Sequence, residues 1–528
     1  MSLIGRVGRK RPRARLAMAL VYLALILGAT TAVYPFLFMA STGFKGPTDQ
    51  NDNKVVPSFW SDNQELVNKY RDDKYAGDAD LMASYNVGGE ANPQEINEYR
   101  QFLDGLSIDR WKAGFRVPPQ GVTSKLAVRW QKFLRHKYHG DINALNKAYI
   151  DLNQAFQQVP IPVEAWERVS WSPPQGQKWK DWIEFKSSLP AEFRIPIRTE
   201  WMWQEFLRAK YKNRIENVPG PVRQGAKLFA NIEWNSTLEQ LASHTAPGSE
   251  PSQEALAAIV REFASMLPKQ FSASVEALWS KSLSSKLPIA AEEEDFVQAH
   301  SADIKREFTW RNYNYVLDYI ALNGRALWNT ALFCLLAIGV QLIVNPLAAY
   351  ALSRYPMRAT ARILLFLLAT MAFPAEVAMI PSFLLLKNLH MLNTFAALVL
   401  PGAASGYTIY LLKGFFDSLP QEVFDSGQVD GAPEWVMMLR LALPLSKPVL
   451  GYIALMTFMG AYGAFIYAFL VCQDSSMWTL MVFVYQLQIL APKAVVMAAV
   501  TIAAVPTLVV FMACQRVIMR GIVLPGER

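Results

Sequence analysis

At 528 residues the chain is too long for a single ordinary core. With 52% hydrophobic and 12% aromatic residues it is too apolar for a disordered protein. Its three cysteines, Cys334, Cys472 and Cys514, exclude a disulfide framework, and it has no C-x-x-C, H-E-x-x-H or G-x-x-x-x-G-K-[ST] with which to build a zinc site or a phosphate loop. The formal charge of +8 is unevenly distributed: residues 45–324 hold 34 Lys+Arg against 36 Asp+Glu, whereas 1–44 and 325–528 hold 18 against 8. A nucleic-acid binder concentrates its basic residues on its soluble domain. Here the excess belongs to the apolar part, so no nucleic-acid partner is expected.

The first predicted element is an apolar run over 16–40, preceded by Arg6, Arg9, Lys10, Arg11, Arg13 and Arg15. A bilayer crossing needs roughly 20 helical residues. The alternative is a signal peptide cleaved after Ala40. A signal core is usually about 7–15 residues, so a retained helix is the better fit.

Next comes a polar insertion, 45–324, which holds 12 of the 15 tryptophans and no cysteine, as a folded soluble domain would. It contains a short repeat. Trp130, Phe133, Leu134 and Tyr138 recur 73 residues later as Trp203, Phe206, Leu207 and Tyr211. Trp, Phe and Leu at 0, +3 and +4 share one face of a helix, so each copy is predicted to be one helix of a helical hairpin and the insertion to be mainly helical. Two copies are too few for a solenoid. No carboxylate spacing marks a glycosidase pair. The tryptophans suit sugar stacking or a docking surface, but tryptophan is more often plain core.

Five further apolar runs follow, near 327–351, 363–386, 394–412, 448–471 and 495–518, giving about six spanning helices in all. Pro401, Gly402 and Gly406 interrupt the fourth. Glu376 lies in the third; a carboxylate in a membrane is costly and faces a cavity or a partner, so it is a candidate lining residue of a translocation pathway or a structural hydrogen-bonding group. Tyr452, Tyr462 and Tyr467 in the fifth could stack on a substrate or simply pack. Asn345-Pro346 reads as a kink. Arg354, Arg358 and Arg362, then Lys413, Arg440 and Lys447, then Arg516, Arg520 and Arg528 fall on the same side as the basic tail, against Lys387 and Lys493 opposite. That bias puts both termini in the cytoplasm and the insertion outside.

The cytoplasmic loop 417–447 between the fourth and fifth runs stands apart. Asp430-Gly431 can end a short helix and turn the chain, and Pro444 stiffens the approach to the next span. Between them Trp435 to Leu439 form an apolar run that needs a partner or the membrane interface to cover it.

This loop resembles the EAA loop of binding-protein-dependent ABC importer permeases: E-A-A, three residues, Gly, nine residues, a branched apolar residue, one residue, Leu-Pro. Asp425-Ser426-Gly427 stands for Glu-Ala-Ala, then Gly431, Leu441 and Leu443-Pro444 follow at the family spacing. Tyr34-Pro35-Phe36, Asn329-Thr330, Ala348 to Arg354, Phe373-Pro374, Ile380-Pro381 and Gln515-Arg516 resemble family motifs along 1–45 and 310–528, most of all those of the carbohydrate, maltose-type permeases. The resemblance implies an all-α, type I importer fold in the bacterial cytoplasmic membrane; it does not cover the insertion, and with it the domains are 1–44, 45–324 and 325–528. It also implies a second permease subunit, two ATP-binding cassette ATPases and an external binding protein. ATP is then used by those partners, and this chain binds no cofactor and has no catalytic residue. On the same grounds Asp425, Ser426, Gly427, Asp430, Gly431, Trp435, Leu443 and Pro444 would couple the chain to an ATPase, with Glu376, Tyr452 and Tyr462 as pathway candidates. Separately, 130–163 resembles a helical segment of some bacterial β-galactosidases. The rival readings are a membrane-anchored carbohydrate-processing protein and a receptor, each acting through the insertion.

Overall fold

In a computed structural model the described residues are 12–75, 93–115, 124–153, 155–223, 225–234, 238, 240, 251–267, 288–322, 325–355, 358–370 and 374–519. Arg6, Arg9, Lys10, Arg11, Gly324, Phe373, Arg520 and Arg528 lie outside them, as does the side chain of Arg516. The described residues are overwhelmingly helical, and their two strands are three residues each: β1 Trp111–Ala113 pairs antiparallel with β2 Arg194–Pro196, Trp111 opposite Pro196.

The chain divides into two compact units, Phe44–Asn312 with Ala491–Ala494, and Met1–Gly43 with Tyr313–Leu490 and Val495–Arg528. α1, Pro12–Gly43, is apolar along its length and leaves Leu20, Leu23, Leu25 and Ile26 exposed. Such a surface is stable in hydrocarbon and not in water.

The insertion unit runs through α2 Asn63–Tyr75, α3 Pro93–Gly105, α4 Lys125–Lys137, α5 Ile142–Tyr149, α6 Gln177–Ser187, α7 Thr199–Lys210, α8 Pro251–Met266, α9 Pro288–Ala299 and the first half of α10 Ser301–Leu322. Among its described residues two large cores form. One gathers Trp111, Trp130, Leu134, Trp182, Phe185 and Phe193; the other gathers Trp203, Leu207, Val222, Ile232, Val260 and Phe263. The sequence repeat is a duplicated packing unit. In α4 the ring centroids of Trp130 and Phe133 lie 5.7 Å apart at 14°, and in α7 those of Trp203 and Phe206 lie 5.8 Å apart at 18°. Each pair packs on one phenylalanine of a second helix: Trp130 lies 5.2 Å from Phe185 of α6, and Trp203 lies 5.1 Å from Phe263 of α8. One residue before each phenylalanine a glutamate pairs with the lysine at the foot of the first helix, Lys137 with Glu184 and Lys210 with Glu262. Both first helices end in left-handed turns, at His139-Gly140 and Lys212-Asn213. Arg135 and Arg208, one turn up, then sit over Phe156 and Phe229 at 5.8 and 5.6 Å.

The predicted hairpin holds in the first copy, where α5 follows the turn. In the second the matching stretch is a 3-10 turn, Ile215–Asn217, and a four-residue helix, Gly220–Arg223. Pro219 and Pro221 lack the amide donors a longer helix needs. The first module also buries a charge. The Asp181 carboxylate accepts from Tyr138 (2.7 Å), Tyr149 (2.9 Å) and Gln177 (2.6 Å) and pairs with Lys137 at 3.0 Å. Burial opposes that charge, but the four donors outweigh it and hold the carboxyl below its ordinary range. A late segment completes this unit: the Ala494 amide donates to Gln50 Oε1 at 2.9 Å, and Lys493 reaches Asn51.

The membrane unit begins where α10 turns apolar: Tyr313 donates to the Ala40 carbonyl, and Tyr319 packs on Phe483. Side-chain packing thus moves the boundary back from 324 to 312. Then follow α11 Arg325–Arg354, α12 Thr360–Thr370, α13 Ala375–Asn388, α14 Phe395–Val399, α15 Gly406–Asp417, α16 Gln421–Val429, α17 Glu434–Met437, α18 Lys447–Tyr462, α19 Ile466–Val471, α20 Leu480–Leu490 and α21 Lys493–Met519. Among the described residues, three helices are long and apolar enough to span a bilayer, Met18–Gly43, Arg325–Arg354 and Lys493–Gln515, or up to five if two bent pairs each count as one. The predicted run 363–386 is instead divided between α12 and α13, with Pro374 capping α13, and the run 448–471 breaks after Tyr462. Apolar α20 lies between the predicted runs 448–471 and 495–518. In the interrupted fourth run α14 and α15 bend by 52°. Asn345 closes that break: its Oδ1 accepts from the Ser405 amide at 2.9 Å, while Gln341 donates to the Gly402 carbonyl. Asn345 is therefore a structural hydrogen-bonding residue.

Candidate coupling site

The loop 417–447 folds as a tight helical hairpin. Pro420 opens α16, and Asp430 caps its end. Gly431 follows at φ 73°, a left-handed conformation that costs an L side chain about 1–2 kcal/mol. The Gly431 amide donates to Gln428 O (3.0 Å) and the Ala432 amide to Gly427 O (2.9 Å), the paired bonds of a Schellman stop. Pro433 then starts α17, which runs into five residues of wider π turn, Met438–Ala442, and the short helix Leu443–Leu445. The limb Glu434–Leu445 meets α18 at an 80° bend. Buried Ser446 sits at that corner, its Oγ donating to Ala442 O.

The two limbs touch where the side chain is smallest. A methyl group at Gly427 would lie 3.3 Å from Leu441 and 3.4 Å from the Met437 sulfur. This is the physical need for small residues after the carboxylate. Inward, Phe424, Met437 and Ala442 are buried with Leu412, Phe415, Phe416, Ala349 and Tyr350. Outward, Asp425, Ser426 and Asp430 are exposed, and Gln421 donates to Asp425 at 3.0 Å. Val429, Trp435 and Leu439 are exposed by 88%, 65% and 49%. The apolar run predicted to lie on the surface is thus split: Met437 belongs to the chain's own core, and Trp435 and Leu439 face out. Pro444 is exposed and Leu443 half-buried.

Residues invisible to the loop pattern complete the site. Arg354, the last residue of α11, donates to Gln421 Oε1 (2.7 Å) and to the Phe416 carbonyl (2.9 Å), and its guanidinium lies 3.5 Å from the Phe424 ring centre. Tyr350 donates to Glu434 at 2.8 Å, and Ser353 to Asp417 at 2.7 Å. Arg354 and Gln421 are 67 residues apart, and only the Ala348 to Arg354 motif hinted that this helix end matters.

The pathway candidates differ in their surroundings. Glu376 is exposed in the first turn of α13. Tyr452 is half-buried, with Tyr407 beside it. Tyr462 is buried, its hydroxyl donating to Ala503 O, and Tyr467 likewise donates to Ala397 O at 2.7 Å. Both of these hydroxyls are engaged in packing within the chain.

Residues 345–523 match the family model for the binding-protein-dependent transport system inner membrane component. The chain is 28% identical to Protein LplC of Bacillus subtilis (strain 168), over 44% of this chain and 84% of that protein. It is 29% identical to the diacetylchitobiose uptake system permease protein NgcG of Streptomyces coelicolor, over 32% of this chain and 58% of that protein. It is 30% identical to the sn-glycerol-3-phosphate transport system permease protein UgpE of Yersinia enterocolitica, over 40% and 79%. A solved bacterial ABC transporter involved in import of the acidic polysaccharide alginate is similar at 23% identity with a TM-score of 0.35, over 39% of this chain and 78% of that one.

Proposed function

Because the chain belongs to the family of binding-protein-dependent transport system inner membrane components, we propose that it is the permease subunit of an ATP-driven importer for a sugar or oligosaccharide. The observation that carries this reading is the hairpin 421–445: an outward face of Asp425, Asp430, Val429, Trp435 and Leu439 on an inward face fixed to the membrane helices. An exposed apolar and acidic knob on a rigid base suits docking in a cleft of a separate ATPase subunit. Closure of two such ATPases would rock this chain against a second permease between two packings. An external binding protein would deliver the substrate. The diacetylchitobiose permease among the relatives supports a carbohydrate, and Tyr452 with Tyr407 offers hydroxyls and rings for one.

In this reading the membrane is the bacterial cytoplasmic membrane, both termini lie inside, and 45–324 lies outside. The test is to purify the chain with its partners and assay ATP hydrolysis and ATP-dependent uptake against a panel of sugars and glycerol phosphates. Co-purified ATPases with sugar-stimulated hydrolysis support the proposal. Absence of any ATPase from the purified complex would overturn it.

A further inference from the structure

A coupling hairpin can pass a displacement to the membrane helices along its own chain or through its side contacts. The chain route runs through a π turn and Pro444 into α18, at an 80° bend. Motion along one limb of such a corner has little component along the other. The side contacts form a more direct route. A single guanidinium, at the very end of α11, binds the first limb twice, through Gln421 and over the face of Phe424, and binds the last turn of α15 through the Phe416 carbonyl. One turn earlier Tyr350 holds the second limb through Glu434. Ser353 ties Asp417, which also pairs with Lys413. Both limbs and the last turn of α15 are therefore fastened to the same end of α11, Tyr350 to Arg354, and buried Phe424 and Met437 pack in the same core.

We propose that Arg354, with Tyr350, is the positioning clamp of the coupling stroke, so that the hairpin and α11 move as one body and the corner at Ser446 is where the motion is absorbed. The planar fork of arginine suits this place. It can hold two oxygens and stack on a ring at once, which the point charge of a lysine cannot. The proposal rests on the coupling reading above.

The experiment uses the full permease–ATPase complex, with Cys334, Cys472 and Cys514 replaced by serine and spin labels at pairs of exposed sites. One pair, Glu422→Cys with Trp328→Cys, joins the hairpin to the far end of α11, roughly 40 Å along the helix. The other, Glu422→Cys with Met456→Cys, joins it to α18. Distances are measured free and after trapping with MgATP and vanadate, with phosphate release read in parallel. The expected result is that the first distance stays fixed and narrow, while the second shifts by about 5 Å, the scale of a one-turn displacement. Arg354→Ala should broaden the first distribution even without nucleotide. Arg354→Lys should restore it in part, and Pro444→Ala should leave it as in the parent. If Arg354→Ala does not accumulate, Tyr350→Phe and Arg354→Lys carry the test, each broadening the first distribution to a smaller extent. A first distance that shifts on trapping while the second stays fixed would overturn the clamp, as would accumulating Arg354 variants indistinguishable from the parent. Loss of ATPase binding in the parent chain would instead refute the coupling reading, and the clamp with it.

Discussion

Gly431 has open space where a side chain would go, so its constraint is backbone conformation alone. Gly431→Ala should cost about 1–2 kcal/mol locally and reduce coupling. Gly431→Pro cannot adopt φ 73° and loses the amide bonded to Gln428, so it should abolish ATP-dependent uptake at normal membrane yield. Uptake and membrane-fraction yield, read together, check this. Trp435 and Asp425 make a separate case because neither supports the hairpin's own core. Truncating an exposed aromatic anchor typically weakens an interface by about 10-fold or more. Trp435→Ala and Asp425→Ala should each lower ATPase retention on the purified permease. Full retention by both variants would place the ATPase elsewhere. These outward residues were legible in the sequence because their spacing is local. The contacts of Arg354, Tyr350 and Phe424 were not, beyond the hint of the Ala348 to Arg354 motif, since they join residues 62 to 84 positions apart that only the folded helices bring together.

At the scale of elements, the helical period was enough to find α4 and α7. It could not show that each has a partner helix, because α6 and α8 share little beyond Glu-Phe, at Glu184-Phe185 and Glu262-Phe263. The structure makes the two modules equal in packing and separate in core. Trp130→Ala and Trp203→Ala should each destabilise the insertion by about 3–5 kcal/mol. Since the two residues lie in different cores, the double variant should come close to the sum. Tryptophan fluorescence of the purified chain during denaturation reads this out, as the insertion holds 12 of the 15 tryptophans. Asp181 adds a pH dependence to the first module only. Its carboxyl is held below the ordinary range, so the stability it contributes is present above about pH 4 and is lost as the pH falls through the depressed value. Asp181→Asn should weaken the module at neutral pH and flatten its acid-unfolding slope. An unchanged slope would show that the four donors do not hold a charge there.

For the whole molecule, the basic bias of the loops makes one further prediction. Ser172 is exposed in the insertion unit, and a cysteine there, in a chain lacking the native three, should react with an impermeant thiol reagent in intact cells whose outer barrier is opened. Labelling only after the inner membrane is broken would reverse the topology. Helical class and the long apolar helices were readable from composition and spacing, whereas the loop 417–447 was marked out by its resemblance to the EAA loop. The breaks in the third and fifth runs were not, because Pro374 and Gly463 permit an interruption without requiring one. The boundary at residue 312 was hidden too, since α10 changes neighbours without changing secondary structure.

The bonds from Gln50 and Asn51 to Ala494 and Lys493 have a consequence for biogenesis. They join residues separated by 444 and 442 positions. At a synthesis rate of about 5–20 residues per second, the first edge of the insertion unit waits roughly 20–90 s before its closing segment emerges. The duplicated modules can bury their tryptophans during that interval, because both cores close with residues that precede 309. The root of the insertion cannot, and nascent chains arrested before residue 491 should expose it to proteases that the finished protein resists.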